Sequence, residues 1–168
     1  MKIYLAGPDV FKTAAIEYGE YLKKICSVYG HIGLFPMDND AEISGKRDLI
    51  FSNNIKLLDE CECVIANISP FHGPSADVGT VWEIGYAKGK GKIVLAYSNN
   101  FEILRNKIEK LYGIVDNKTP DNMGFDDFGL IDNLMIIESL YDNDLKQYML
   151  FSNFEECVKN LQVLTPGL

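Results

Sequence analysis

The sequence predicts an α/β fold, a parallel sheet with helices packed on both faces in an α/β/α sandwich. Three observations carry that prediction. Short apolar runs alternate with segments of helical period along the chain. One run, Lys92-Ile93-Val94-Leu95-Ala96-Tyr97, is apolar almost throughout, as a strand covered on both faces must be. The loops that follow the strands are polar and carry glycine or proline. Right-handed crossovers gather those loops at one edge of the sheet, where open α/β sheets bind ligands.

The elements follow in order. Residues 2–6 form a first strand that stops at Gly7-Pro8, because proline has no N–H to give to a ladder. Residues 13–29 space Ile16, Leu22, Ile25, Val28 and Tyr29 as a helix does. Residues 32–35 are a brief second strand closed by Pro36, and residues 44–60 a helix with Ile50, Phe51, Ile55 and Leu58 facing inward. A third strand, residues 63–66, leads through a polar loop to a helix over 78–88 and then to the strand at 92–97. Beyond Asn99 the pattern weakens to a helix at 101–111, a polar stretch at 116–132, and helices near 133–141 and 154–164. No linker, repeat or low-complexity segment interrupts residues 1–168, which read as a single domain.

Composition narrows the function. With 47% hydrophobic and 24% charged residues, 168 residues suffice for one substantial core. A net charge of -8 with no lysine or arginine cluster repels a phosphate backbone, so no nucleic acid polymer is expected as a partner. The apolar start is too short for a signal peptide and no apolar stretch approaches the roughly 18 residues of a membrane span, which implies a cytoplasmic protein with no membrane partner. Cys26, Cys61, Cys63 and Cys157 read as buried free thiols. His31 and His72 have no further ligands at metal-binding spacing, so neither metal nor cofactor is expected.

Chemistry concentrates in Asp77-Val78-Gly79-Thr80-Val81-Trp82-Glu83-Ile84-Gly85-Tyr86-Ala87, where a loop turns into a helix. Helical spacing puts Gly79, Thr80, Tyr86 and Ala87 on the face of Glu83 and no basic residue beside it, leaving room for a ligand. The positive end of the helix favours the carboxylate, so Glu83 is expected to stay ionised as a nucleophile or base. The alternative is a surface glutamate on a helix capped by Asp77.

Four segments, Ile3-Tyr4-Leu5-Ala6-Gly7-Pro8-Asp9-Val10-Phe11, Phe35-Pro36-Met37-Asp38-Asn39, Asp77 to Ala87, and Asp132-Asn133-Leu134-Met135, together resemble the nucleoside 2-deoxyribosyltransferase family. The resemblance implies a flavodoxin-like sheet and an enzyme of nucleoside salvage that moves deoxyribose between deoxynucleosides and free nucleobases. It implies that Glu83 attacks the anomeric carbon to form a covalent intermediate, with Tyr4 holding the nucleophile and Asp77 contacting the base and moving its proton. Tyr4 could instead be a core strand tyrosine. The resemblance further places Asp9 and Phe11 in the base pocket, although Phe11 could equally be core; Gly79, beside the nucleophile by helical spacing, joins them as a substrate-binding position. Asn133 and Met135 match residues that a neighbouring subunit inserts into the pocket, which makes a homo-oligomer the expected state; as isolated residues they read as a helix cap and a core methionine.

Two positions depart from the family pattern. Asn54 stands where the family has an aspartate, and an amide cannot donate a proton as an acid, which leaves that work to Asp77. Asp40 stands where some members have a glutamine that touches the base, so base preference stays open. The nearest rival is an N-glycoside hydrolase on the same fold acting on deoxynucleosides or deoxynucleotides, against whose nucleotide-specific members the Gly7-Pro8-Asp9 loop offers phosphate an aspartate. A remoter rival is a non-enzymatic receiver-like module, which needs an acidic pair after strand one and an aspartate ending strand three; here the third strand ends in Ala66-Asn67.

Overall fold

The computed structural model describes residues 1–38 and 45–164. Strands β1 (Lys2–Ala6), β2 (Ile32–Leu34), β3 (Cys63–Asn67), β4 (Ile93–Tyr97) and β7 (Leu150–Phe151) form one sheet in the order β2-β1-β3-β4-β7, every pairing parallel. A small antiparallel hairpin of β5 (Tyr141–Asp142) and β6 (Gln147–Tyr148) precedes β7. The helices are α1 (Ala15–Val28), α2 (Arg47–Glu60), α3 (Val78–Gly89), α4 (Leu104–Tyr112), α5 (Leu134–Ser139) and α6 (Phe154–Leu164), with a 3-10 turn at Pro8–Phe11.

Both faces of the sheet are covered, which explains the unbroken apolar strands. Alternation sends Tyr4, Ala6, Val64, Ala66, Val94 and Ala96 into a core with Leu57 and Leu58 of α2, Ile84 and Ala87 of α3, and Ile136 and Ile137 of α5. Ile3, Leu5, Cys63, Ile65 and Leu95 face the other way, onto Leu22 and Cys26 of α1 and Val158 and Leu161 of α6. The four cysteines are free and buried. Gly19 belongs to the second core: a Cβ there would lie 2.5 Å from the Phe35 ring, so α1 sits on the end of β2 only because this position has no side chain.

Element boundaries move by a few residues from those the sequence predicts. Asn133 is not in a helix but caps α5, its side chain accepting from the Met135 N–H at 2.9 Å. Residue 141, predicted as helical, is in β5. Leu150–Phe151 is a fifth sheet strand that the sequence pattern did not announce.

The chain reverses direction of strand addition between β1 and β3, with β2 on one side of β1 and β3, β4 and β7 on the other. A crevice opens beyond the carboxyl ends of strands at such a point. Tyr4 on β1 and the start of α3 flank it on the same face of the sheet.

Candidate active site

Tyr4 is fully buried, because its position on β1 directs it between the sheet and the α2–α3 pair. Its hydroxyl donates a 2.6 Å hydrogen bond to Glu83 Oε1. Glu83 is placed by the start of α3. Asp77 caps that helix, its Oδ2 accepting from the Thr80 N–H at 2.9 Å and the Thr80 hydroxyl at 3.0 Å. Both bonds fall on one carboxylate oxygen, so Asp77 Oδ1 makes none among the described residues.

Glu83, Asp77, Gly79, Asn54 and Phe11 line one cavity of about 340 Å³, together with Gly7, Val10, Pro36, Met37, Ile50 and Thr80. Five of the residues singled out in the sequence thus meet at one place, with Tyr4 beneath them. No lysine or arginine lines the cavity among the described residues. Asn54 adds a buried Oδ1 with no hydrogen-bond partner among the described residues, an acceptor open to a ligand donor.

Other expected site residues lie elsewhere. Asp9 is buried on the opposite face of the 3-10 turn, beside a separate cavity of about 390 Å³. It accepts from Asn67 Nδ2 at 3.0 Å and the Tyr97 hydroxyl at 3.2 Å, with Lys12 Nζ 3.4 Å away. Asn133 and Met135 border a third, apolar cavity of about 570 Å³ between α3 and α5. Within one chain they do not line the Glu83 cavity. Asp40 lies outside the described residues. Met37 and Ile50 line the cavity without having been singled out as site residues, because an apolar residue after a strand or on a helix reads as core.

The electrostatics of Glu83 differ from the sequence expectation. Its pKa is pushed up to about 7, first by burial and further by the nearby Asp77 carboxylate, with the Tyr4 hydrogen bond opposing both. The helix end does not hold it ionised, because Glu83 sits in the second turn of α3 and the terminal field fades within the first. Burial, followed by the Glu83 charge, raises the Tyr4 pKa well above the ordinary phenol value, so Tyr4 stays a donor. Among the described residues no group of three or more His, Cys, Asp or Glu side chains is arranged to hold a metal ion. None of their helices is long and apolar enough to cross a membrane.

The fold is shared with known proteins. The structure superimposes on a 2-desoxiribosyltransferase from Leishmania mexicana with a TM-score of 0.75 and 28% identity, covering 95% of each chain. It shares the fold of a 2-deoxyribosyltransferase from Bacillus psychrosaccharolyticus with a TM-score of 0.59 and 22% identity, over 93% of this chain and 89% of the other. An uncharacterized protein of Schizosaccharomyces pombe is 34% identical over 116 residues, 63% of this chain and 54% of its own length. The matched region thus spans about half the length of that curated relative. Residues 3–135 match the family model described as nucleoside 2-deoxyribosyltransferase, and the chain belongs to that family.

Proposed function

We propose that this protein transfers the 2-deoxyribosyl group from a 2'-deoxynucleoside to a second nucleobase, through a covalent intermediate on Glu83, in nucleoside salvage. The observation that carries the reading is the 2.6 Å hydrogen bond from buried Tyr4 to Glu83, which lines one cavity with Asp77. In the first step a Glu83 oxygen bonds to the anomeric carbon as the carbon–nitrogen bond breaks, and the electron pair of that bond goes to the base. Asp77, having taken through Oδ1 the proton that Glu83 sheds, delivers it to the departing base, which leaves neutral. The transition state carries positive charge at the sugar, which the adjacent Glu83 carboxylate stabilises strongly in a partly dry site. Tyr4 fixes one carboxylate oxygen by its hydrogen bond and leaves the other to react. The second base attacks the glycosyl ester, gives its proton to Asp77 and restores Glu83, with net retention at the sugar.

The cavity suits a nucleoside better than a nucleotide, because the described residues that line it offer no cation to a 5'-phosphate. Asn133 and Met135, which stay outside the Glu83 cavity of their own chain, complete the site of another copy in a homo-oligomer.

The test is a chromatographic assay with deoxyinosine or thymidine as donor and adenine or cytosine as acceptor, run with and without acceptor, on wild type and Glu83→Ala. New deoxynucleoside is expected only with acceptor present, and is lost in the variant. Free base released equally without acceptor would make the protein a hydrolase, and exchange surviving in Glu83→Ala would remove Glu83 as the nucleophile.

A further inference from the structure

Asp132 is a buried carboxylate to which the reaction steps above give no part. It is 1% exposed, and three donors converge on it. The Ser75 hydroxyl and the Asn133 N–H, the latter at 2.7 Å, both donate to Oδ1. The Ala76 N–H donates to Oδ2 at 2.8 Å. Hydrogen bonds to a carboxylate are about twice as strong as those between neutral groups, so this is a firm tie between distant parts of the chain. One end is the segment that leads into α5. The other is Ser75-Ala76, the two residues that bring the chain to Asp77.

Asp77 is therefore held from both sides. Ahead of it, Thr80 fixes Oδ2 through two hydrogen bonds. Behind it, Ala76 is tied to Asp132 and is itself buried. We propose that Asp132 is a positioning residue for Asp77, clamping Ser75-Ala76 so that the Asp77 carboxyl meets the leaving nucleobase in the Glu83 cavity. The inference rests on the reading of Asp77 and Glu83 given above. Its physical basis is that a displacement of about 1 Å in a catalytic group can lower a rate about a hundredfold.

Asp132→Asn keeps the shape but replaces one acceptor oxygen with an N–H₂ that faces a donor, so at least one of the three bonds is lost. A test that separates positioning from general damage uses two donors. Deoxyinosine needs a proton on its base to leave well. N7-methylated 2'-deoxyinosine already carries positive charge on the base, so when its carbon–nitrogen bond breaks the electron pair neutralises that charge and no proton is required.

If Asp132 acts through Asp77, Asp132→Asn lowers kcat/KM for deoxyinosine by about a hundredfold, the scale of a lost general acid, and lowers that for the methylated donor by less than about threefold. Ser75→Ala, which removes one donor from the same carboxylate and leaves the core intact, shows the same selectivity at smaller size and decides the matter if Asp132→Asn does not fold. Equal losses on both donors would overturn the proposal. Glu83→Ala, expected to lose both donors together, checks the underlying reading independently: if it kept either donor, the reading of the site itself would fail.

Discussion

Glu83 has to shed its proton before it can attack, and the fold makes that harder. In an unfolded chain its carboxyl titrates near the ordinary 4.5, whereas in the native site burial moves it to about 7. Between those values the native state holds more protons than the unfolded one, so this residue's contribution to stability falls as pH rises through the window and is least favourable above 7. The shift corresponds to about 3 kcal/mol at most. Glu83→Gln, which is neutral at every pH, is expected to be about 1–3 kcal/mol more stable than wild type at pH 8 in urea unfolding. At pH 4.5 the difference should vanish. A variant equally stabilised at both pH values would show that ionisation is not the cause. The same titration gives kcat/KM an acid limb that rises through about pH 7, since only the Glu83 carboxylate attacks. Thus the residue that makes the site reactive also lowers the stability of the fold around it.

At the scale of elements, the site depends on how the turn after β1 meets the end of β3. Gly7 has φ of 154°, and a Cβ at this position would lie 2.7 Å from the Asn67 Cβ. Asn67 in turn holds Asp9 through Nδ2 and accepts from the Ser69 N–H at 3.1 Å. Gly7→Ala must push the turn away from β3 and carry Val10 and Phe11, two walls of the cavity, with it. The expected result is a loss of about 1–3 kcal/mol in stability, read as the urea midpoint, and at least a tenfold fall in kcat/KM. Native values for both would mean that the turn relaxes without disturbing the cavity. This contact also explains what could be read in the sequence. Helical spacing was enough to put Gly79 and Thr80 beside Glu83, whereas Asp77, the cap of α3 six residues before it, entered the site through the resemblance. Strands β1, β3 and β4 were legible because both of their faces are buried. Asp9 sits two residues from Phe11, yet the 3-10 turn sends them to different cavities, a separation that no periodicity encodes. β7 has two residues and becomes a strand only by pairing with Ala96 and Tyr97, and Asp132 finds Ser75 and Ala76 only after the chain has folded.

For the whole molecule, the question is what covers the surface around the site. Val78 is 84% exposed and Met135 74%, while Phe51, Trp82 and Tyr86 form an aromatic row across α2 and α3 with centroid separations of 5.9 Å and 5.3 Å. Apolar surface of this kind favours association. In the proposed homo-oligomer, Glu83 of one copy works with Asn133 and Met135 of another, so two differently damaged chains should repair each other. Glu83→Ala lacks the nucleophile but retains the donated segment; Asn133→Ala combined with Met135→Ala has the reverse defect. Unfolded together and refolded at equal amounts, random pairing in two-fold dimers makes half of the assemblies mixed, and each mixed dimer contains one intact site. About a quarter of wild-type exchange activity should return. Recovery in the mixture, with both parents inactive when refolded alone, would require sites built from two chains. If the Asn133/Met135 variant is inactive and mixing restores nothing, those residues act within their own subunit and the site is complete in one chain.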